Sequence, residues 1–175
     1  MRRLRYQVAV SLDGYIGAPD GSYDWIIMDP SIDFAAIYQQ FDAMLMGRRT
    51  FEETQKQAAA VEEPPSMEVF VCSRTLRQAD HPKVTILGDD SQAAIKKLKA
   101  KPGKDIWLFG GGSLFRSLLD AGLVDTIELA VIPVMLSAGV PLLPAGKRSP
   151  RLRLDHHEKL STGIVMLNYS IEPNT

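Results

Sequence analysis

Short, nearly continuous apolar runs alternate with helix-patterned segments through most of the chain, and this alternation constrains the fold more than any other feature. Tyr6–Leu12, Ala43–Met46, Met67–Cys72, Val84–Leu87 and Ile106–Phe109 are such runs. Without an in-out alternation they read as strands buried on both faces, which is how parallel sheets covered by helices look in sequence. The intervening segments carry helix signals. Ser31 or Asp33 caps a short helix over about 33–40, and Gly47-Arg48-Arg49-Thr50 opens another that runs to about Ala60 before Glu62-Glu63-Pro64-Pro65. Asp90 caps a third, with Ala94, Ile95 and Leu98 on one face and Pro102-Gly103 as its stop. In a fourth, Leu114, Phe115, Leu118 and Leu119 form an apolar stripe that ends at Gly122. Beyond it only strands follow: Thr126–Val131, then Arg151–Leu160 and Ile164–Ile171 as a hairpin around Ser161-Thr162-Gly163. The pattern predicts an α/β fold, a mixed, mainly parallel central sheet flanked by helices and closed by an antiparallel C-terminal hairpin. A length of 175 residues suits one domain, 1–175.

With 20 basic and 21 acidic residues, the chain has no overall attraction to nucleic acid or to an anionic membrane, so any anion site is local. The partner expected is a small molecule. Cys72 is the only cysteine, which fits a reducing compartment, and the apolar run after Met1-Arg2-Arg3 is too short for export, so a cytoplasmic location is expected.

In sheets of this kind ligands sit beyond the carboxyl ends of the strands. The sequence marks three such ends. At Phe109-Gly110-Gly111-Gly112-Ser113 the amides of a helix start are exposed without intervening Cβ atoms, a setting for phosphate. Gly47-Arg48-Arg49-Thr50 adds two cations to a second helix start, and Ser73-Arg74-Thr75 adds a third cation with two hydroxyls. Taken singly, the glycines could serve only helix-strand packing and the arginines only solvation. Their recurrence at equivalent strand ends favours a phosphate site.

Other chemistries fit poorly. The glycine run does not complete G-x-G-x-x-G, no G-x-x-x-x-G-K-[ST] occurs, and Phe115 stands where a serine-hydrolase elbow needs glycine. His81, His156 and His157 lack metal-ligand spacing, so no metal is expected. Cys72 reads as a small core residue, and Glu52-Glu53 and Glu62-Glu63 as solvated surface.

The segments VAVSLDGYIG (8–17), DAMLMGRRTFE (42–52), VFVCSRT (69–75), LFGGGSLFRSLLDAGLVDTIELAVIPVML (108–136) and GVPLLP (139–144) occur in an order that resembles the dihydrofolate reductase-like superfamily. Within it the chain is most similar to the branch of the riboflavin-biosynthesis reductase domain. The resemblance implies an NADPH-dependent reductase. Gly111, Gly112, Ser113 and Leu114 would hold the cofactor pyrophosphate, with Gly110 and Gly111 at a tight peptide. Gly47, Arg48, Arg49 and Thr50 would add phosphate contacts, Ser73 and Arg74 would lie near the adenosine 2′-phosphate, and Ala9 and Ile16 would flank the nicotinamide. Relatives of this branch pair through sheet edges, which with the apolar segment Val131–Leu143 implies a homodimer.

The sequence also departs from the superfamily. No residue aligns unambiguously with the acid that helps protonate a pterin: Asp33 is the first choice, Asp29 a second, and Asp13 a turn residue. Asp24-Trp25 replaces a Pro-Trp pair on the wall facing the substrate. No deaminase signature H-x-E or P-C-x-x-C occurs. The expected activity is hydride transfer to a C=N or C=O bond of a small heterocycle, pterin- or aminopyrimidine-like. A non-catalytic nucleotide- or metabolite-binding protein on the same fold is the alternative.

Overall fold

The computed structural model describes residues 1–57 and 67–172. In chain order the elements are β1 (Leu4–Ser11), β2 (Tyr15–Gly17), α1 (Phe34–Tyr38), β3 (Phe41–Gly47), α2 (Arg48–Gln57), β4 (Glu68–Cys72), β5 (Thr85–Leu87), α3 (Ser91–Ala100), β6 (Asp105–Gly110), α4 (Gly112–Asp120), β7 (Thr126–Ile132), β8 (Val140–Pro141), β9 (Leu152–Lys159) and β10 (Val165–Ile171). Eight strands form one sheet in the order β5-β4-β3-β6-β1-β7-β10-β9. From β5 to β7 every pairing is parallel, and the two pairings of β10 are antiparallel. This is the expected mixed sheet, since strands joined by helical crossovers pair parallel and those joined by the hairpin cannot.

The two faces of β6 show how the sheet is covered. Ile106 and Leu108 point into a core completed by Ile95 and Leu98 of α3 and by Phe115, Leu118 and Leu119 of α4. Trp107 and Phe109 pack with the opposite cluster, where Met44 and Met46 meet Phe51 of α2. Tyr6 of β1 stacks on Phe115 with ring centroids 3.9 Å apart, so truncating Phe115 to alanine removes about 3–5 kcal/mol of packing. Gly122 ends α4 with φ +66°, and the Leu123 amide bonds back to the Leu118 carbonyl at 2.9 Å, a left-handed closure that glycine adopts without a Cβ penalty.

The structure adds one pairing the sequence did not suggest, decides between two caps, and leaves one expectation outside the described residues. The loop after β1 contains β2, which pairs with β8, so part of the apolar segment 131–143 is used within the chain, where Leu142 and Leu143 also pack on the main core. Asp33, not Ser31, caps α1: its carboxylate accepts the Ala36 amide at 2.9 Å, whereas Ser31 bonds Asp29. The expected end of α2 near Ala60, with the Glu62–Pro65 crossing, lies outside the described residues.

Candidate active site

Parallel pairing carries the carboxyl ends of β4, β3, β6 and β1 to one edge of the sheet. Gly47 is level with Cys72, and Met46 with Gly110, so the turns after β4, β3 and β6 are neighbours. The starts of α2 and α4 touch there: a Cβ on Gly47 would stand 3.8 Å from that of Leu114, and one on Gly111 would stand 3.2 Å from Thr50 Oγ1.

The glycine run divides into different jobs. Gly110 and Gly111 are joined by a cis peptide bond, and Gly110 has φ +156°. Gly110 is buried and Gly111 half-buried, and among the described residues only Thr50 comes within 4 Å of the Cβ position of either. Gly112 is closed in: a Cβ there would meet the Pro141 carbonyl oxygen at 2.7 Å and Pro144 at 3.3 Å. Packing against the β8 loop accounts for Gly112, and the packing explanation does not extend to Gly111. As N-cap of α4, Gly111 has no side chain to offer, and the first amides of the helix, on Gly112, Ser113 and Leu114, receive no side-chain cap. Uncapped amides behind a glycine that carries no Cβ suit an anionic group such as a diphosphate, with the helix dipole adding to the attraction.

The three cations do not stand alike. Arg48 is held by Glu52 one helical turn on, at 2.8 and 3.1 Å, so Glu52 is more than solvated surface. Among the described residues Arg49 and Arg74 have no carboxylate partner and are exposed. Ser73 is buried, and its hydroxyl accepts the amides of Thr75 and Leu76 at 3.1 and 3.0 Å, so it shapes the turn that presents Arg74. Cys72 is partly buried, and burial pushes its thiol up to about 11, the behaviour of a packed side chain rather than a nucleophile.

Next to this edge lies an apolar pocket of about 220 Å³. Its floor is Gln7, Val8 and Ala9 of β1 with Trp107 and Ala130 of the strands on either side, and its walls are the loop from Ile26 to Ile32 and α1. Of the residues named from sequence, Ala9 alone lines it. Ile16 lies in β2, away from the wall. Asp24 is exposed, and Trp25 turns into the cluster of Ile132, Leu160 and Ile164 while its indole N–H donates to the Ser22 carbonyl. The wall expected at Asp24 and Trp25 is therefore formed by the residues that follow them, Ile26, Ile27 and Met28.

The candidate acids are engaged in structure. Asp33 caps α1 and is not among the residues lining the pocket. Asp29 is buried; it accepts the Ser31 hydroxyl at 2.5 Å and the Thr162 hydroxyl at 2.7 Å, and these bonds hold its carboxyl far below the usual carboxylate range. It ties the tip of the β9–β10 hairpin to the pocket loop. Asp13, as expected, belongs to its turn: it accepts from Ser11, Leu136 and Ser137, and the Ser11 hydroxyl leads in lowering its pKa. Sequence reasoning missed Gln7, whose side-chain oxygen is buried without a hydrogen-bond partner. A lone glutamine in an apolar strand was the available signal.

Among the described residues no helix is long and apolar enough to cross a membrane, and no group of His, Cys, Asp and Glu is suited to a metal. Compared with known proteins, the chain is 35% identical to the uncharacterized protein YyaP of Bacillus subtilis (strain 168), over 96% of this chain and 94% of that one. A crystal structure from Shewanella sp. PV-4, provisionally named for riboflavin biosynthesis, superposes with a TM-score of 0.83 at 26% identity, covering 99% of this chain and 100% of the other. The bifunctional diaminohydroxyphosphoribosylaminopyrimidine deaminase/5-amino-6-(5-phosphoribosylamino)uracil reductase of Thermotoga maritima shares the fold, with a TM-score of 0.75 at 15% identity over 98% of this chain and 57% of that one. The sequence profile of the RibD C-terminal domain matches residues 2–166. The chain therefore belongs to the RibD C-terminal domain family, a reductase-like branch of the dihydrofolate reductase-like superfamily.

Proposed function

We infer that the protein is an NADPH-dependent reductase that delivers hydride to a C=N or C=O bond of a small heterocycle. One observation carries this: the uncapped start of α4, behind the Cβ-free Gly111, lies on the same strand edge as Arg49 and Arg74 and beside an apolar pocket. The α4 amides would hold the diphosphate, while Arg49 and Arg74 supply charge for a further phosphate. When bound, NADPH supplies the hydride; the chain's part is to bind, orient and exclude water. Ala9, small and near the end of β1, leaves room on the pocket floor. Among the described residues no acid lines the pocket, so on this reading the proton comes from a single water held with the substrate rather than from a side chain. Family membership supports the reductase assignment, and the uracil reductase of Thermotoga maritima supports an aminopyrimidine-like substrate by kinship alone.

The missing acid favours a second reading, a nucleotide- or metabolite-binding protein without turnover. Following NADPH absorbance with a panel of pterins, aminopyrimidine ribosides and quinones, alongside calorimetric titration of NADPH and NADH, separates the two. Tight NADPH binding with oxidation by at least one acceptor is expected. Binding without oxidation across the panel favours the second reading, and no NADPH binding removes both.

A homodimer is part of this proposal. β9 is the last strand of the sheet, largely exposed, with Leu154 47% accessible, and offers an unpaired edge to a second copy. Light scattering at micromolar concentration should return twice the 19.3 kDa chain mass, and a monomer mass would refute it.

A further inference from the structure

The loop that walls the pocket is attached to the molecule at its ends and at one point between them. Ile26 and Ile32 pack with Trp25 on the cluster of Ile132, Leu160 and Ile164. Between these anchors Ile27 is 41% and Met28 65% exposed, so the middle of the wall is largely open to solvent. Its main-chain bonds are local: the Ile26 amide donates to the Tyr23 carbonyl and the Ile32 amide to the Asp29 carbonyl, each at 3.1 Å. Among the described residues, the only hydrogen bonds that join residues 26–32 to an element distant in the chain are those of the Asp29 carboxylate.

The two oxygens of Asp29 have different partners. Oδ1 accepts the Ser31 amide at 2.9 Å and the Ser31 hydroxyl at 2.5 Å, which shapes the 29–32 turn. Oδ2 accepts the Thr162 hydroxyl at 2.7 Å, the Thr162 amide at 3.2 Å and the Ser161 hydroxyl at 3.3 Å. Neither partner element needs the Oδ2 bonds for its own closure. The turn is closed by the Ile32 amide, and the hairpin tip by the Gly163 amide on the Leu160 carbonyl at 3.1 Å and the Leu160 amide on the Ile164 carbonyl at 2.8 Å. What the Oδ2 bonds add is the connection between the two. Hydrogen bonds to an ionised acceptor are about twice as strong as neutral ones, so three of them on one buried oxygen make an effective pin. Asp29 itself does not line the pocket; its neighbours Ile26, Ile27, Met28 and Ile32 do.

We propose that Asp29 is a positioning residue: it pins the loop 26–32 to the tip of the β9–β10 hairpin and so sets how closely Ile26, Met28 and Ile32 stand over the pocket floor. A bound molecule feels Asp29 through these side chains, without touching the carboxylate. The consequence for turnover rests on the reductase reading; the pinning of the wall does not.

The test is amide hydrogen exchange of the full chain, comparing the parent with Asp29→Asn, Thr162→Val and Thr162→Ser. Asparagine keeps one acceptor oxygen for Ser31 but turns an NH2 group toward the donors at the hairpin tip, whereas Thr162→Val leaves the carboxylate in place and removes one donor. Peptides covering residues 24–33 should exchange at least tenfold faster in Asp29→Asn and at least threefold faster in Thr162→Val. Thr162→Ser, which keeps the hydroxyl, should exchange as the parent does, and peptides of β1 and β6 should stay within about twofold in every variant. Unchanged exchange at 24–33 overturns the proposal, and so does an equal rise in β1 and β6, which would make Asp29 a residue of general stability. If Asp29→Asn does not fold, the two Thr162 variants decide. For any acceptor that the parent reduces, KM should rise at least fivefold in Asp29→Asn with kcat and NADPH affinity within about twofold, and Thr162→Ser should keep the parent's KM. A faster-exchanging loop with an unmoved KM would also overturn the positioning role. If the parent reduces no acceptor, the reductase reading falls and the exchange comparison still decides whether Asp29 pins the wall.

Discussion

The start of α4 and the wall of the apolar pocket lie on adjoining strands, yet one is made of backbone at the end of a parallel sheet and the other of side chains on a loop and a five-residue helix. At α4 the position of each amide follows from strand register, because Met46 opposite Gly110 and Gly47 opposite Cys72 fix where the turns fall. At the pocket, the loop 26–32 is held from outside the sheet, through Asp29 and its bonds to Thr162 on the hairpin. A fold can keep the first region constant while the second changes its residues. On the proposed function, one architecture would in this way keep a common cofactor cradle while its substrates differ.

If the cradle is a fixed anion site, its charges should dominate the largest measurable effect. A hydrogen bond to a charged group contributes about 1.5–3 kcal/mol, and exposed side chains such as Arg49 and Arg74 belong at the lower end. The double change Arg49→Ala plus Arg74→Ala should therefore weaken NADPH by about 100-fold while altering NADH far less. Arg48→Ala should do less than either single change, because Glu52 already holds that guanidinium. Equal affinity for NADPH and NADH in the unmutated protein, by calorimetry, would end the argument for a 2′-phosphate site.

The next effect separates two neighbours within the cradle. Gly112→Ala drives a Cβ into the Pro141 carbonyl at 2.7 Å, backbone that cannot swing away, and should lower stability by about 1–3 kcal/mol. Among the described residues Gly111→Ala meets only the Thr50 hydroxyl, at 3.2 Å, a contact a small shift of that side chain relieves. If the Gly111 backbone faces a bound diphosphate, this protein should melt close to the parent and bind NADPH about tenfold more weakly, a difference of about 1.4 kcal/mol. Thermal melts without ligand, paired with NADPH titration of the folded protein, check both. A Gly111→Ala protein that melts early and binds as the parent does would make the whole run a packing feature.

The same contrast explains what the sequence disclosed. The strands of the sheet, the glycine junction and a cap at Ser31 or Asp33 were legible because each depends on residues close in the chain: an apolar run, three consecutive glycines, a polar side chain just before a helix start. The β2–β8 pairing was not, since Tyr15 and Pro141 are far apart in the chain and two- or three-residue strands leave no periodicity to read. Nor was the pocket wall, whose Ile26, Met28 and Phe34 follow neither a helical nor a strand spacing. The Arg48–Glu52 pair sat at legible i,i+4 spacing, but spacing alone could not decide between a bound anion and a carboxylate as the partner of Arg48. Gln7 needed the folded structure, because whether an amide is satisfied depends on every element packed around it.

The smallest expected effect is at Asp33, and it bears on whether the pocket side has any chemistry of its own. As the cap of α1, Asp33 accepts the Ala36 amide and stands exposed, so a change to asparagine keeps a side-chain oxygen in place for that bond. Asp33→Asn should therefore leave both stability and the rate of NADPH oxidation within about twofold of the parent, whereas Asp33→Ala should lose about 0.5–2 kcal/mol of stability through the lost cap. A residue that instead supplied the proton would behave in the opposite way. Asp33→Asn would then fold as the parent does but lose about 100-fold or more in rate, since general acid catalysis by a positioned group is worth about 10²–10⁴-fold. Steady-state rates of the two variants across pH, with their melts, distinguish these outcomes. A large rate loss in Asp33→Asn at unchanged stability would return the proton-donor role to Asp33 and show that α1 moves its N-terminus into the pocket when substrate binds.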